Sequence, residues 1–248
     1  YIDTEMNKEE QQNRIIANDA GIDVKLIETG NFSLYEDYCY KTADSITKLE
    51  KIPFHHKWCG GKPFEEITAI MRRWIYHVVG FDNEGKTNPH IVIYDYFKLM
   101  NEDGLDKVQE YQKIGFQVSY LSDFCKKYQT PCLSFVQLNR DGVTKDTSDI
   151  ISQSDRLLWL CTSCSVFKRL NKDEIMENGG SKFGNRRMFL LEGRFGEPLE
   201  EGDSILMNFD GKKSKITEIG TKFNLLKNQS NNTGFEINDR PGEDSTEY

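Results

Sequence analysis

The stretch His90-Ile-Val-Ile-Tyr-Asp95 is a nearly continuous apolar run that ends in a carboxylate. A strand that is buried on both faces of a parallel sheet has this pattern. Helix signals lie on both sides of it, because Pro63 opens an apolar stripe at helical spacing and a long helix is predicted from about residue 106 to residue 128. This alternation of strands and helices predicts an α/β fold with a mainly parallel sheet.

Further elements are predicted around this central run. Tyr1 to Asp3 look like the end of a strand, and a helix follows with Asn7 as its N-cap and Glu10 three positions later. Short apolar runs predict strands at residues 24–27, 52–56, 131–136 and 156–161, and a helix is predicted at residues 34–51. Residues 166–186 are predicted to form a mobile loop, and a closing pair of strands is predicted at residues 187–191 and 204–208.

Composition restricts the classes of function. The 248 residues carry a net charge of −8, which argues against a broad surface that coats nucleic acid but leaves room for DNA in a narrow channel. The sequence has no apolar run of about 18 residues, so no membrane span is predicted. Cys161 and Cys164 form the single CxxC motif without a second ligand pair, so the six cysteines are predicted to stay reduced rather than to bind zinc.

Polar residues at the ends of predicted strands are the candidate site residues, because ligands of open α/β sheets bind outside the carboxyl ends of the strands. Asp95 is placed either to hold Mg²⁺ through water or to cap the next turn. Gln137 is either a hydrogen-bonding partner of a γ-phosphate or of the attacking water, or a solvated strand end. Glu5 is either an acceptor for the proton of that water or an acidic residue that favours a helix N-terminus.

Three segments stand in a specific order and spacing: Asp3-Thr-Glu-Met6, Ile91-Val-Ile-Tyr-Asp-Tyr-Phe-Lys-Leu-Met100 and Val136-Gln-Leu-Asn-Arg140. They resemble the consecutive core motifs of the DnaB-type family of hexameric replicative helicases, in its phage-encoded branch. The similarity covers roughly residues 1–220. It implies a RecA-like P-loop NTPase core, with a mainly parallel central sheet flanked by helices and an antiparallel C-terminal hairpin. It also implies ATP and Mg²⁺ as cofactors.

The resemblance assigns roles to individual positions. Glu5 matches the catalytic glutamate, Asp95 the Walker B aspartate that holds Mg²⁺ through water, and Gln137 the phosphate-sensing residue. Arg194 matches the arginine finger that reaches the ATP of the neighbouring subunit, although it also fits a surface arginine before a hairpin turn. Loops that face the centre of the ring would contact DNA phosphates, or carry ordinary solvated charges, and their basic candidates are Lys98, Lys107, Arg140 and Lys145.

Two departures from the family pattern affect these expectations. Glu192 stands where many relatives carry a lysine two residues before the finger, so a second cation supplied in trans is not expected. No GxxxxGK[ST] motif occurs in the sequence. We therefore expect the sequence to be truncated at its N-terminus, and the chain as it stands to bind ATP poorly. Residues 1–226 are predicted to form the ATPase domain, and residues 227–248 a disordered acidic tail.

The leading hypothesis is an ATP-driven motor that moves along single-stranded DNA and unwinds forked duplex. By the resemblance, the motor is a homo-hexamer in the cytoplasm of a bacterial host, with a primase and a helicase loader as further partners and no membrane association. Two alternatives remain open at this point. One is another RecA-fold ATPase, of recombinase or clock type, and the other is a non-catalytic remnant that only binds partners.

Overall fold

The computed structural model describes residues 1–97, 110–137, 155–196 and 199–233. They divide into two compact units, which are described separately. The first comprises the described residues within 1–164, together with 191–196 and 210–215. The second comprises the described residues within 165–190, 197–209 and 216–248.

A four-stranded sheet forms the centre of the first unit, with the strand order β2-β1-β3-β4. The strands are β1 Ile2–Asp3, β2 Lys57–Trp58, β3 Val92–Asp95 and β4 Cys132–Ser134. All three pairings in this sheet are parallel. The predicted strand before Asp95 is therefore confirmed, and it lies between two neighbours as a buried parallel strand should.

Helices of the first unit flank this sheet, as the α/β prediction requires. They are α1 Lys8–Ala20, α2 Val24–Glu28, α3 Glu36–Leu49, α4 Phe64–Trp74, α5 Glu110–Tyr128 and α6 Asp155–Leu160. The start of α1 follows from its sequence, because Asn7 accepts the N–H of Glu10 at 3.0 Å and Glu10 accepts the N–H of Asn7 at 2.8 Å. This reciprocal capping satisfies two N–H groups that the first turn leaves without a partner.

The core of the first unit lies between β3 and the helices α4 and α5. From α4 it contains Phe64, Ile67 and Met71, and from β3 it contains Val92 and Tyr94. The rings of Phe64 and Tyr94 meet edge to face with their centroids 5.8 Å apart, so α4 packs directly on β3. The stripe at helical spacing after Pro63 is thus the face of α4 that lies on the sheet.

A second four-stranded sheet has the strand order β5-β6-β7-β8, and most of its residues belong to the second unit. Its strands are β5 Ser163–Arg169, β6 Arg186–Gly193, β7 Ile205–Asp210 and β8 Lys215–Thr221. The strands β6 and β7 pair antiparallel, with Arg187 opposite Leu206. The predicted antiparallel closing pair is therefore confirmed.

Three of the predicted strands are wrong. Residues 24–27 form α2, because Asp23 accepts the N–H of Lys25 at 2.9 Å and starts a helical turn. Residues 156–161 fall largely in α6, and residues 52–56 contain no strand, since β2 begins at Lys57. The physical reason is the same in each case, because an apolar run of four to six residues is too short for its period to separate a strand from a helix.

The prediction of a mobile loop at residues 166–186 is also wrong. The segment contains the end of β5, the helix α7 Lys172–Glu177, a 3₁₀ turn at Ser181–Phe183 and the start of β6. A capping box begins α7, in which Asn171 accepts the N–H of Glu174 at 2.9 Å and Glu174 accepts the N–H of Asn171 at 2.7 Å. The same Asn-x-x-Glu signal precedes α1. The polar composition of residues 166–186 favoured a loop prediction although this helix signal is present.

The last described element is the helix α8 Lys222–Thr233. It includes residues 227–233 of the predicted acidic tail, and residues 234–248 lie outside the described part of the chain. None of the helices in the described ranges combines the length and the apolarity that a crossing of the bilayer requires.

Truncation of Ile67 should destabilise the protein strongly. Its side chain is fully buried in the core on α4, so we expect Ile67→Ala to lower the free energy of unfolding by about 2–5 kcal/mol. Ile52→Ala is the matched control, since Ile52 is 55% exposed, and should change it by no more than about 0.5 kcal/mol. Urea unfolding measures both values, and equal effects of the two variants would contradict this description of the core.

Candidate active site

Three of the predicted site residues follow the carboxyl ends of three adjacent parallel strands. Asp95 is the last residue of β3, Glu5 stands two residues after β1, and Gln137 stands three residues after β4. Since β1, β3 and β4 are consecutive in the sheet and run in the same direction, their carboxyl ends lie at one edge. The structure thus places Glu5, Asp95 and Gln137 at the position where open α/β sheets bind ligands.

Hydrogen bonds continue the strand pairing toward this edge. The N–H of Thr4 donates to the carbonyl of Asp95 at 2.9 Å, and the N–H of Tyr96 donates to the Thr4 hydroxyl at 3.3 Å. On the other side of β3, the N–H of Phe97 donates to the carbonyl of Phe135 at 2.9 Å. The peptide bond between Asp95 and Tyr96 is cis. The segments that leave β1, β3 and β4 therefore stay together beyond the strands.

Two tyrosines hold the two carboxylates in a reciprocal arrangement. The hydroxyl of Tyr1, which precedes β1, donates to Oδ2 of Asp95 at the end of β3. The hydroxyl of Tyr96, which follows β3, donates to Oε1 of Glu5 beyond β1 at 3.0 Å. Burial raises the pKa of the Tyr1 phenol above its ordinary value, and the hydrogen bond to Asp95 raises it further. Burial and then the bond to Glu5 likewise raise the pKa of Tyr96.

Asp3 is a third carboxylate near this edge, but it points inward. It is 1% exposed, and its Oδ1 accepts the N–H of Glu5 at 2.8 Å and the N–H of Met6 at 2.7 Å. Its Oδ2 lies 3.4 Å from Nε2 of His56, whose side chain is 3% exposed. Asp3 therefore acts on the backbone of the turn after β1, whereas Glu5 is exposed at the edge.

The donor chemistry of the edge fits a magnesium ion held by few protein ligands. Mg²⁺ prefers oxygen donors and keeps several waters, so one or two carboxylates suffice to hold it. Asp95 is half-buried with one oxygen bonded to Tyr1, and it is the residue that would hold the ion. Within the described ranges, no group of three or more His, Cys, Asp or Glu side chains is placed to hold a metal ion.

Arg194 lies on a different element from the three strand-end residues. It directly follows β6, and it is exposed. Its backbone N–H donates to the carbonyl of Thr162 at 3.0 Å, and its guanidinium donates to the carbonyl of Trp159. Both the backbone and the guanidinium of this exposed residue thus have a partner in the same chain. The DNA-binding candidates Lys98, Lys107, Arg140 and Lys145 lie outside the described residues.

Several contributors to the site do not stand out in the sequence. Tyr1, Thr4, Tyr96 and His56 act through partners that are more than 50 residues away in the chain, so no local pattern marks them. Asp3 did carry a local signal, since an aspartate before a turn commonly accepts N–H groups two and three residues further on.

Solved structures identify the fold as RecA-like. One of them, whose title describes an ATPase domain, aligns with a TM-score of 0.68 and 13% identity, covering 88% of this chain and 73% of that one. The structure titled "The Structure Of A DnaB-Like Replicative Helicase And Its Interactions With Primase" aligns with a TM-score of 0.69 and 14% identity, covering 87% of this chain and 49% of that one. The chain thus has the α/β fold of the RecA type, as predicted.

The family follows from the sequence. The family model described as "DnaB-like helicase C terminal domain" matches residues 1–153, which is more than half of the chain. The protein therefore belongs to the DnaB-like helicase C-terminal domain family. No curated protein matches the chain. The matched residues include β1, β3 and β4, and so they contain Glu5, Asp95 and Gln137.

Loss of the Tyr1 hydroxyl should change the dependence of stability on pH. The pKa of the Tyr1 phenol is raised in the folded state. Its hydrogen bond therefore adds its full contribution to the free energy of unfolding below pH 10.0, the ordinary pKa of the phenol, and this contribution declines as the pH rises further. We expect Tyr1→Phe to lower the free energy of unfolding by about 1 kcal/mol at pH 8. This difference from wild type should shrink between about pH 10 and 11.

Urea unfolding across this pH range measures the effect. Tyr40→Phe is the control, because Tyr40 is 77% exposed, and its difference from wild type should stay near zero throughout. A Tyr1→Phe difference that grows with pH would have the wrong sign for a phenol that donates to a carboxylate.

Proposed function

We propose that this chain is the motor domain of a replicative DNA helicase, which hydrolyses ATP to move along single-stranded DNA and to unwind duplex. The observation that carries the proposal is the convergence of Glu5, Asp95 and Gln137 at one sheet edge, in a member of the DnaB-like helicase family. Two carboxylates and an amide at this edge supply a base, a metal-binding group and a phosphate-sensing group.

Each residue has a distinct task in this reaction. The exposed carboxylate of Glu5 accepts the proton of the attacking water, and the hydroxyl of Tyr96 keeps one of its oxygens oriented. Asp95 would hold Mg²⁺ through water, with the oxygen that is not bonded to Tyr1. When bound, Mg²⁺ neutralises charge on the phosphate oxygens. Gln137 reports the presence of the outer phosphate to the segment that follows it.

Assembly into a homo-hexameric ring completes the proposed site. Arg194 is exposed, its backbone is held by Thr162, and its guanidinium would exchange the Trp159 carbonyl for the ATP of a neighbouring subunit. Lys98, Lys107, Arg140 and Lys145 are proposed to contact the phosphates of single-stranded or forked DNA in the ring. Position 192 holds a glutamate where many relatives carry a lysine, so Arg194 is the cation that we propose to act in trans.

Further partners follow from the proposed role at a replication fork. A primase is proposed because one similar structure is titled for a helicase and its interactions with primase. A helicase loader is proposed because the resemblance to the DnaB-type family implies one. A phage origin would place the protein in the cytoplasm of a bacterial host.

Replacement of Glu5 by glutamine should remove ATP hydrolysis. In the intact gene product, we expect single-stranded DNA to stimulate turnover, and Glu5→Gln to reduce kcat by a factor on the order of 10² to 10⁴ because the amide cannot accept the proton. Glu9→Gln is the control, since Glu9 is exposed on α1 and the change in charge is the same. ATP turnover and unwinding of a forked duplex are measured in parallel.

The outcomes separate the proposal from its rivals. Turnover that DNA leaves unchanged, without unwinding, would indicate a different RecA-fold ATPase. A wild-type protein without any turnover would indicate a non-catalytic partner-binding protein. Wild-type turnover in Glu5→Gln would remove Glu5 from the proposed mechanism.

Mixed rings test Arg194. A cation supplied in trans contributes a factor on the order of 10³ to 10⁵, so pure Arg194→Ala rings should be inactive. When Arg194→Ala subunits are mixed with Glu5→Gln subunits, each inactive as a pure ring, we expect turnover to reappear, because an Arg194→Ala subunit still carries Glu5 and can receive the cation from a Glu5→Gln neighbour. Arg73→Ala, at an exposed position on α4, serves as the control and should leave turnover unchanged. A mixture of the two variants that stays inactive would contradict the role in trans, because a residue that acts within its own subunit leaves every site defective.

A further inference from the structure

We propose that Asp3 and His56 are positioning residues, which hold the turn after β1 so that Glu5 meets the attacking water in a fixed geometry. This proposal rests on the proposed function, because it assumes that Glu5 is the base. Neither residue faces the edge of the sheet, and both are almost completely buried. Their effect on the reaction is therefore exerted through the backbone that carries Glu5.

The contacts of Asp3 fix the backbone on both sides of the Glu5 side chain. Its Oδ1 accepts the N–H of Glu5 at 2.8 Å and that of Met6 at 2.7 Å. The capping box of α1 then begins at Asn7. Residues 5 and 6 thus lie between a strand and a capped helix, with both of their N–H groups bound to one carboxylate oxygen. This arrangement leaves the backbone of Glu5 little freedom to rotate.

His56 orients the Asp3 carboxylate from the opposite side. Its Nε2 lies 3.4 Å from Oδ2 of Asp3, and its ring stacks on the ring of Tyr1 with centroids 5.7 Å apart. The next residue, Lys57, donates its N–H to the carbonyl of Tyr1 at 2.8 Å, which ties His56 to β1. Asp3 therefore has a partner on each oxygen, as a buried carboxylate requires.

Chemistry distinguishes the two carboxylates of this segment. Asp3 is 1% exposed and has both oxygens engaged, so it is not available to a water molecule at the edge. Glu5 is exposed and takes the role of the base. Reaction rates fall by about 10² when a catalytic group is displaced by about 1 Å, so the anchoring of the Glu5 turn bears on kcat.

Steady-state ATP hydrolysis by the intact gene product with single-stranded DNA tests the proposal. We expect Asp3→Ala to lower kcat by a factor on the order of 10 to 10², with KM changed less than about threefold, because the proposal assigns this turn to the attacking water and not to the binding of ATP. Asp3→Asn should restore most of the rate, since its amide oxygen can accept the same two N–H groups. His56→Phe keeps the stacking on Tyr1 and should lie between these values. His55→Phe is the exposed neighbouring control and should match wild type.

Amide hydrogen exchange provides a measurement that does not depend on turnover. The peptide that contains Glu5 and Met6 should exchange at least about tenfold faster in Asp3→Ala than in wild type, and at nearly the wild-type rate in Asp3→Asn. If Asp3→Ala does not fold, Asp3→Ser replaces it. A serine hydroxyl accepts fewer N–H groups than the aspartate but more than alanine, so the increase in exchange should be smaller than for Asp3→Ala and of the same sign.

The outcomes keep this proposal apart from the proposed function. Unchanged exchange in Asp3→Ala, or in Asp3→Ser where it replaces the alanine variant, would overturn the positioning role. Wild-type kcat in Asp3→Ala, or an Asp3→Asn variant as slow as Asp3→Ala, would also overturn it. If Glu5→Gln hydrolyses ATP normally, the assignment of Glu5 as the base fails instead. The exchange measurement then still decides whether Asp3 anchors the turn.

Discussion

Parallel pairing of β1 with β3 is the constraint on which the candidate site depends. The register places Ile2 opposite Tyr94 and Asp3 opposite Asp95, and the N–H of Thr4 extends it by donating to the carbonyl of Asp95 at 2.9 Å. Glu5 therefore leaves the sheet at the level where β3 ends. A slip of one residue would turn the side chains of β1 to the opposite faces, so burial of Ile2 in the core and placement of Glu5 are set together.

The general position of the site was predictable from the sequence because two strong patterns agree. The apolar run before Asp95 has the composition of a strand covered on both faces, and parallel strands bring their carboxyl ends to one edge. Asp95 and Gln137 then follow from the order of the strands, and the capping signal at Asn7 fixes the start of the helix after Glu5. The capping signal involves residues close together in the chain, and the common edge follows from the direction of parallel strands, so both can be predicted without knowledge of distant contacts.

Contacts between distant segments were not predictable in this way. His56 meets Asp3 only because β2 pairs with β1 across more than 50 residues, and nothing in either segment encodes that partner. The strand predictions at residues 24–27 and 156–161 were wrong for a related reason. Tertiary packing decides between helix and strand when an apolar run is too short to show its period. The role proposed for Arg194 in a ring depends on a second copy of the chain, so its basis is the resemblance to the family and not a contact within this chain.

The nature of the donors at the edge is consistent with the chemistry proposed for it. Two carboxylates at one edge repel each other, and each receives a hydrogen bond from a phenol next to the end of the neighbouring strand. A lysine or arginine would orient a carboxylate too, but its charge would also cancel the attraction of that carboxylate for a metal ion or a proton. A phenol is neutral, so Tyr1 and Tyr96 orient the carboxylates of Asp95 and Glu5, and the negative charge of those carboxylates stays available. The reciprocal pairs thus preserve the charge that the proposed hydrolysis needs, and they orient the two carboxylates more than the strand ends alone would do.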